Sequence, residues 1–347
     1  MDVKEVGREL GVRYVLEGSV RRSANLLRVA AQLIDATTGL HVWANRLDGE
    51  LSEIFEFQDQ ITASVVASIA PKILEAEIAR AKRKPAASLD AYECYARGIA
   101  LLQNLFGPVT KEGVAEAQRL FGRAMELDPD YAPPYGAAIG CYSKRRGCGW
   151  VDDPAKDSAE VRRLLPIVLR VARNDALALS DTAMVVAYVL HDLHSAKKFM
   201  DQALDLNANL AVAWTYSGFI NLWLGDAETA REHFRRALRQ DPHPTVYTPG
   251  TRLGMAHACF FLGHYDDAVS WAESELRSDP NDHSGLRIGA ASAACAGNSE
   301  LAQRLSQHLQ SIDPRFCISR LAEYLGPYQS EHLAAFAQGL RLAGLPE

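Results

Sequence analysis

His191 and His194, with Asp192 between them, are the nearest this chain comes to a metal site. On a helix their spacing sets both imidazoles on one face, but a zinc site needs three or four ligands and no third stands nearby. His257 and His264 straddle the end of a helical stretch, and Cys141 and Cys148 border a glycine-rich stretch; neither pair has a ligand spacing. The G-x-G-x-x-G, G-x-x-x-x-G-K-[ST], H-E-x-x-H and G-x-S-x-G patterns are all missing, and no Ser or Cys is set beside a base. The expectation is therefore a non-enzymatic chain with no catalytic residue, no cofactor and no metal.

Composition narrows the alternatives. The 347 residues carry 37 Lys and Arg against 43 Asp and Glu, a net charge of −6, which is the wrong sign for displacing counterions from nucleic acid. The six cysteines (Cys94, Cys141, Cys148, Cys259, Cys295, Cys317) are scattered among apolar residues and read as reduced thiols. The opening MDVKEVGREL lacks a signal peptide's apolar core, and no stretch nears the ~18 apolar residues of a membrane span. A cytoplasmic location is expected, with neither a membrane nor a nucleic acid as partner.

Two periodicities divide the chain. A short helix closed by Gly11 precedes three stretches alternating near period two: Arg13–Arg22, Leu26–Ala36 and His41–Asp48. Turns at Ser23–Asn25 and Thr38–Gly39 make them a three-stranded antiparallel meander. From Leu51 to about Lys84 apolar residues recur every three or four positions (Leu51, Ile54, Phe57, Ile61, Val65, Ile69, Ile73), a helix that Pro71 should kink. Residues 1–84 thus read as a small α/β module, and 85–90 as a linker.

From Asp90 onward every periodic stretch is helical and repeats. Ala117, Phe121, Ala124 and Pro129 match Ala230, Phe234, Ala237 and Pro242, and Ala196, Met200, Ala203 and Ala208 follow the same spacing. Ala268 with Pro280 and Ala302 with Pro314 keep the outer members. Ala208 to Pro242 and Pro280 to Pro314 are each 34 residues, while Pro129 to Ala208 is 79, two periods and eleven extra. The excess falls at Arg145–Lys156, a Gly/Asp/Pro-rich stretch with Trp150 that reads as a tolerated insertion or a partner contact. Gly218 and Ala230 are small where two helices approach, Trp214 and Phe234 fill the space between hairpins, and the Asp–Pro pairs end the second helices. Residues 91–314 then hold about six helical hairpins, and 315–347 a capping helix buried through Leu333, Phe336 and Leu340.

The 34-residue period and these small and bulky positions resemble tetratricopeptide repeats. Leu16–Arg21, Gln32–Asp35, Trp43 and Phe57–Asp59 resemble the second half of a TolB-like amino-terminal domain, and the ending Leu340–Glu347 is similar to the tails that follow it. The likeness implies a mainly α chain: a tetratricopeptide-like α-solenoid behind a partial TolB-like module (helix, three antiparallel strands, long helix). Such chains form the C-terminal region of bacterial class III adenylate/guanylate cyclases and of winged-helix regulators. The expected function is a non-catalytic protein-interaction scaffold in a signalling protein. The alternative is the C-terminal part of such a cyclase, with Met1 lying downstream of an output domain. The half-sheet predicts unpaired strand edges, hence a homodimer through this module or poor solution behaviour.

A solenoid of this type binds on its concave face, lined by the first helix of each hairpin. The register places there Tyr92, Tyr95, Ile99, Asp181, Val185, Tyr188, Thr215, Phe219, Trp223, Leu253, His257, Phe260 and Arg287. The set is aromatic and apolar, lacks the Lys and Asn with which chaperone-binding repeats hold a terminal carboxylate, and suits an apolar helix or extended segment of a protein partner. Several of these aromatics have a second reading, as core between units. Trp214, Gly218, Ala230, Phe234, Ala237 and Pro242 are assigned to packing within the repeats.

Overall fold

A computed structural model describes residues 2–50, 65, 69, 72–80, 89–102, 109–148, 150–241 and 250–347. Their contacts divide into two compact units, Met1–Leu89 and Asp90–Glu347.

In the first unit, helix α1 (Val3–Leu10) starts on the Asp2 side chain, which accepts from Lys4 N at 3.0 Å, and stops at Gly11 in the left-handed region (φ 64°). Strands β1 (Tyr14–Ser23), β2 (Leu26–Asp35) and β3 (His41–Glu50) form the expected antiparallel meander in the order β1-β2-β3. Leu16 stands opposite Leu33, and Leu33 opposite Trp43. Gly7 allows α1 to close on Ala36, where a Cβ would find no space. Residues 72–80 are helical (α2) and bury Leu74, Glu77 and Ile78. Apart from these and residues 65 and 69, the predicted long helix with Pro71 lies outside the described residues, as does the linker before Leu89.

Glu77 is the polar anchor of this unit. Its carboxylate accepts from the Tyr14 hydroxyl at 2.7 Å and pairs with Arg13 at 3.1 Å and with Arg80. Burial, and then the Glu77 carboxylate, push the Tyr14 hydroxyl well above the usual phenol range. Glu77→Ala should cost about 3 kcal/mol in urea unfolding, the lower end for a broken buried pair because both arginines still reach water.

The second unit is a run of helical hairpins: α3 (Ala91–Leu102) with α4 (Lys111–Leu127), α5 (Pro133–Gly147) with α6 (Pro154–Val171), and α7 (Ala176–Tyr188) with α8 (Leu193–Leu206). Then come α9 (Ala211–Leu224) with α10 (Ala227–Gln240), α11 (Thr251–Phe261) with α12 (Tyr265–Leu276), and α13 (His283–Cys295) with α14 (Ser299–Ile312). Two helices follow, α15 (Leu321–Tyr324) and α16 (Ser330–Leu342).

The repeat residues act through sterics. Phe234 is fully buried with its ring against Gly218 of its own hairpin and Gly254 of the next, and a Cβ at either glycine would enter the ring. Phe121 takes the same seat on Gly98. Ala230 and Ala237 are buried beside Phe234 on α10. Trp214 works inside its own hairpin instead of between hairpins: its indole N–H donates to Ala208 O at 2.7 Å and Arg236 lies 4.2 Å above the ring. Tyr135 copies this two units earlier, donating to Pro129 O at 3.0 Å. Asp128, Asp241 and Asp313 leave helical geometry as residues before proline should; Pro242 itself lies outside the described residues.

The turns within the last four hairpins use one device. A left-handed residue precedes an N-cap: Gly225 before Asp226, Gly263 before His264, Gly297 before Asn298. His191, at φ 57°, takes the glycine's place before Asp192, whose carboxylate accepts from Ser195 N at 3.0 Å. The two histidines therefore do not share a helical face; His191 is a turn residue. His191→Gly should raise stability by about 1 kcal/mol in thermal unfolding, by relieving the left-handed backbone.

The eleven-residue excess is split. A short connection follows Gly147, and α6 runs to 18 residues against 14 in α8. Gly136 brings the backbone of α5 against Ala178, so α5 packs closely on α7 and its own hairpin is splayed.

Candidate protein-interaction groove

The first helices of the hairpins line one wall, and residues at successive inner positions form the candidate site. Over its second half this wall is already covered. After α14 the chain turns back across it instead of merely capping the end: Tyr324–Gln329 runs past α13, α11 and α9 as far as α7.

The seat is specific. The Tyr188 ring stacks on Trp223 at 5.5 Å and 14°, and its hydroxyl approaches Tyr324 O at 3.4 Å. Gly326 rests on the Trp223 indole, where any Cβ would enter the ring. Tyr328 meets Trp223 edge-on at 6.4 Å and stacks on His257 at 5.9 Å. The Gln329 amide donates to Trp223 O at 3.1 Å. His332 stacks on Phe261 at 4.2 Å, and Phe336 packs edge-on against His257 and Phe260. The chain end is tied down by Ser306, whose hydroxyl donates to Ala343 O at 2.9 Å, and by Ile318 N, which donates to Pro346 O at 2.8 Å.

Five of the expected groove residues, Tyr188, Trp223, His257, Phe260 and Arg287, are thus buried under the chain's own C-terminal segment. Thr215 corrects the expectation in another way: it is fully buried and its hydroxyl lies 2.7 Å from that of Thr251, a polar tie between α9 and α11. Tyr95 is buried against Phe121 and Tyr131, so its core reading holds, while Tyr92 stays half-exposed 6.1 Å from Tyr131. Phe219 is half-buried and meets Phe234 edge-on at 5.1 Å.

Electrostatics differ between the two halves. Burial, and then the nearby Arg287 guanidinium, push the His257 imidazole down to about 3, so it is neutral. Its Nδ1 has no hydrogen-bond partner among the described residues. Burial also lowers Arg287 from its ordinary value. In the first half, Asp181 on α7 has neither hydrogen bond nor ion pair among the described residues, and burial, with Asp175 second, raises its carboxyl to about 7. The hydroxyl of Tyr216 feels that carboxylate. On α5, which packs on α7 through Gly136 and Ala178, Gly140 has open space where a Cβ would be. The first half therefore holds one acid without a described partner, and the second is a seat filled by aromatic rings.

Sequence reasoning missed the C-terminal segment as the occupant of the wall. Its signal was Tyr324-Leu-Gly-Pro-Tyr-Gln329, a Gly-Pro step between two tyrosines that no helix can accommodate. Among the described residues no three His, Cys, Asp or Glu side chains converge. No described helix is long and apolar enough to cross a membrane.

With this geometry in view, no family model matches the chain. In fold it is similar to the Cut9–Hcn1 hetero-tetramer of the APC/C, with a TM-score of 0.53 and 17% identity over 75% of this chain and 44% of that one. It is likewise similar to the human IFIT1 dimer with m7Gppp-AAAA, with a TM-score of 0.52 and 14% identity over 63% of this chain and 50% of that one. The fold is a tetratricopeptide-type α-solenoid behind a small three-stranded sheet. In sequence, 137 residues are 42% identical to the protein named "Putative adenylate cyclase 3" of Rhizobium meliloti strain 1021. The match covers 39% of this chain and 22% of that protein.

Proposed function

We propose that this chain is a non-catalytic protein-interaction scaffold, the regulatory part of a bacterial signalling protein, and that the first half of its concave wall, which the C-terminal segment does not fill, receives the partner. The observation that carries this reading is Asp181 on α7, a half-buried acid with no hydrogen-bond or ion-pair partner among the described residues, which is costly to keep charged unless something else supplies a cation. Tyr92 adds an aromatic surface, so the partner is a segment with a basic and an apolar residue, recognised as tetratricopeptide walls recognise peptides. Residues 1–84 serve as a partial TolB-like module, and β1 and β3, each paired on one side only among the described residues, are the edges through which two copies would join.

The likeness to a protein named as an adenylate cyclase supports a second reading, that this is the C-terminal part of a nucleotide cyclase. One assay separates the two. Purified chain given ATP or GTP with magnesium or manganese should form no cyclic nucleotide, whereas product formation would overturn the scaffold reading. Binding is tested by capture from the source cell, where Asp181→Ala and Tyr92→Ala should release the partner without lowering the melting temperature. A partner held equally by both variants would place the contact elsewhere.

A further inference from the structure

Arg287, at an inner position of α13, is 3% exposed, and among the described residues Asp282 and Asp313 act on it only from beyond ion-pair distance. Its Nη2 donates to Ser284 Oγ at 2.9 Å, and its Nε has no acceptor. Aromatic faces cover the rest of the guanidinium, Phe316 at 5.7 Å and Tyr324 at 5.3 Å. Along the same wall His257 Nδ1 is also buried without a partner. Cation–π contact recovers part of the cost of burying a charge, but a carboxylate would recover more. Tyr324–Gln329 brings tyrosine rings, a Gly-Pro step and an amide to this seat, and no anion. The seat fits the shape of its occupant and not its charge.

We propose that Tyr324–Gln329 is a resident stand-in, and that the seat's other ligand is an extended segment of a partner protein carrying a carboxylate four residues before an aromatic side chain. The carboxylate pairs with Arg287 where Tyr324 now lies, and the aromatic ring replaces Tyr328 between Trp223 and His257. This rests on the scaffold reading and adds a second, exchangeable site to it, with the C-terminal segment as the element displaced.

The test uses the full chain with the seat opened by Gly326→Val, whose side chain cannot coexist with the Trp223 indole. Two fluorescent peptides are titrated against it, one copying residues 320–331 and one the same with Tyr324→Glu. The acidic peptide should bind the opened chain about ten-fold more tightly than the copy. Arg287→Met added to the opened chain should abolish that preference, lowering the acidic peptide's affinity by more than the copy's, which loses only the Tyr324 cation–π contact. The unaltered chain should bind both weakly. Equal affinities, or an acidic peptide indifferent to Arg287→Met, would overturn the proposal. A copy that binds better than the acidic peptide would also overturn it, pointing to exchange of C-terminal segments between two copies of this chain. Tyr328→Ala, which removes a ring instead of adding bulk, opens the seat by a second route should Gly326→Val unfold. The scaffold reading is tested separately through Asp181 and Tyr92, so failure here leaves it standing.

Discussion

Phe234→Ala should lower the stability of the solenoid by about 3–5 kcal/mol, and adding Gly254→Ala to it should return part of that loss. The ring is fully buried and fills one space bounded by Gly218 and Gly254 on two first helices, so its removal opens a cavity across a hairpin boundary. Alone, Gly254→Ala is destabilising by about 1–3 kcal/mol, because the new Cβ enters the ring and a packed core resists the added volume. With the ring gone the same methyl fills empty space, and alanine is favoured over glycine in a helix by about 1 kcal/mol. The double variant should therefore be more stable than the two losses added together, a coupling read from urea unfolding of all four proteins. Additive losses would mean that Phe234 does not seat on Gly254.

The two halves of the wall should respond to pH with opposite slopes. His257 is held down at about 3, below its ordinary value, so the folded chain binds fewer protons than the unfolded one between about 6.5 and about 3. Its contribution is intact above that window and is lost as pH falls through it, by up to about 1.4 kcal/mol per pH unit. Asp181 is raised to about 7, so there the folded chain binds more protons, and that contribution is present at low pH and lost as pH rises from about 4 through 7. Between pH 7 and 4 the two oppose each other and flatten the profile. Asp181→Asn, which mimics the protonated acid, should leave stability falling more steeply on acidification than in the unaltered chain. His257→Leu should remove the acid-labile share, so that acidification costs less than before. Arg287, Tyr328, Phe261 and Phe336 surround the imidazole, and of these only Arg287 is a cation that opposes its protonation. Melting temperatures of the three proteins at pH 7 and pH 4.5 read the difference, and identical slopes would contradict the burial of both groups.

The parts of this fold that were legible in the sequence are those set by short-range sterics. Gly218 beneath Phe234 marks itself by size and spacing, as do Gly11 at a helix end and the alternation of β1 to β3. His191 was misleading because its register with Gly225, Gly263 and Gly297 outweighs its chemistry: the turn needs a left-handed residue, and histidine tolerates that conformation. Half of the candidate wall was illegible for a different reason. Tyr188, Trp223 and His257 do occupy inner positions of their helices, but their burial comes from a segment some 70 to 140 residues later in the chain, and no local pattern carries that pairing. Thr215 and Thr251 likewise find each other only when α9 and α11 stack.

The central claim is that this wall has one half open to a partner and one half filled by the chain's own C-terminal segment. Photo-crosslinking tests it most directly, with a photoreactive residue placed in turn at Gly140 and at Phe261 and irradiated in the source cell. From position 261 the account predicts adducts within the chain, to residues 328–332; from position 140 it predicts an adduct to another protein that disappears when Asp181→Ala is added. An intermolecular adduct from position 261, or none from position 140, would contradict it.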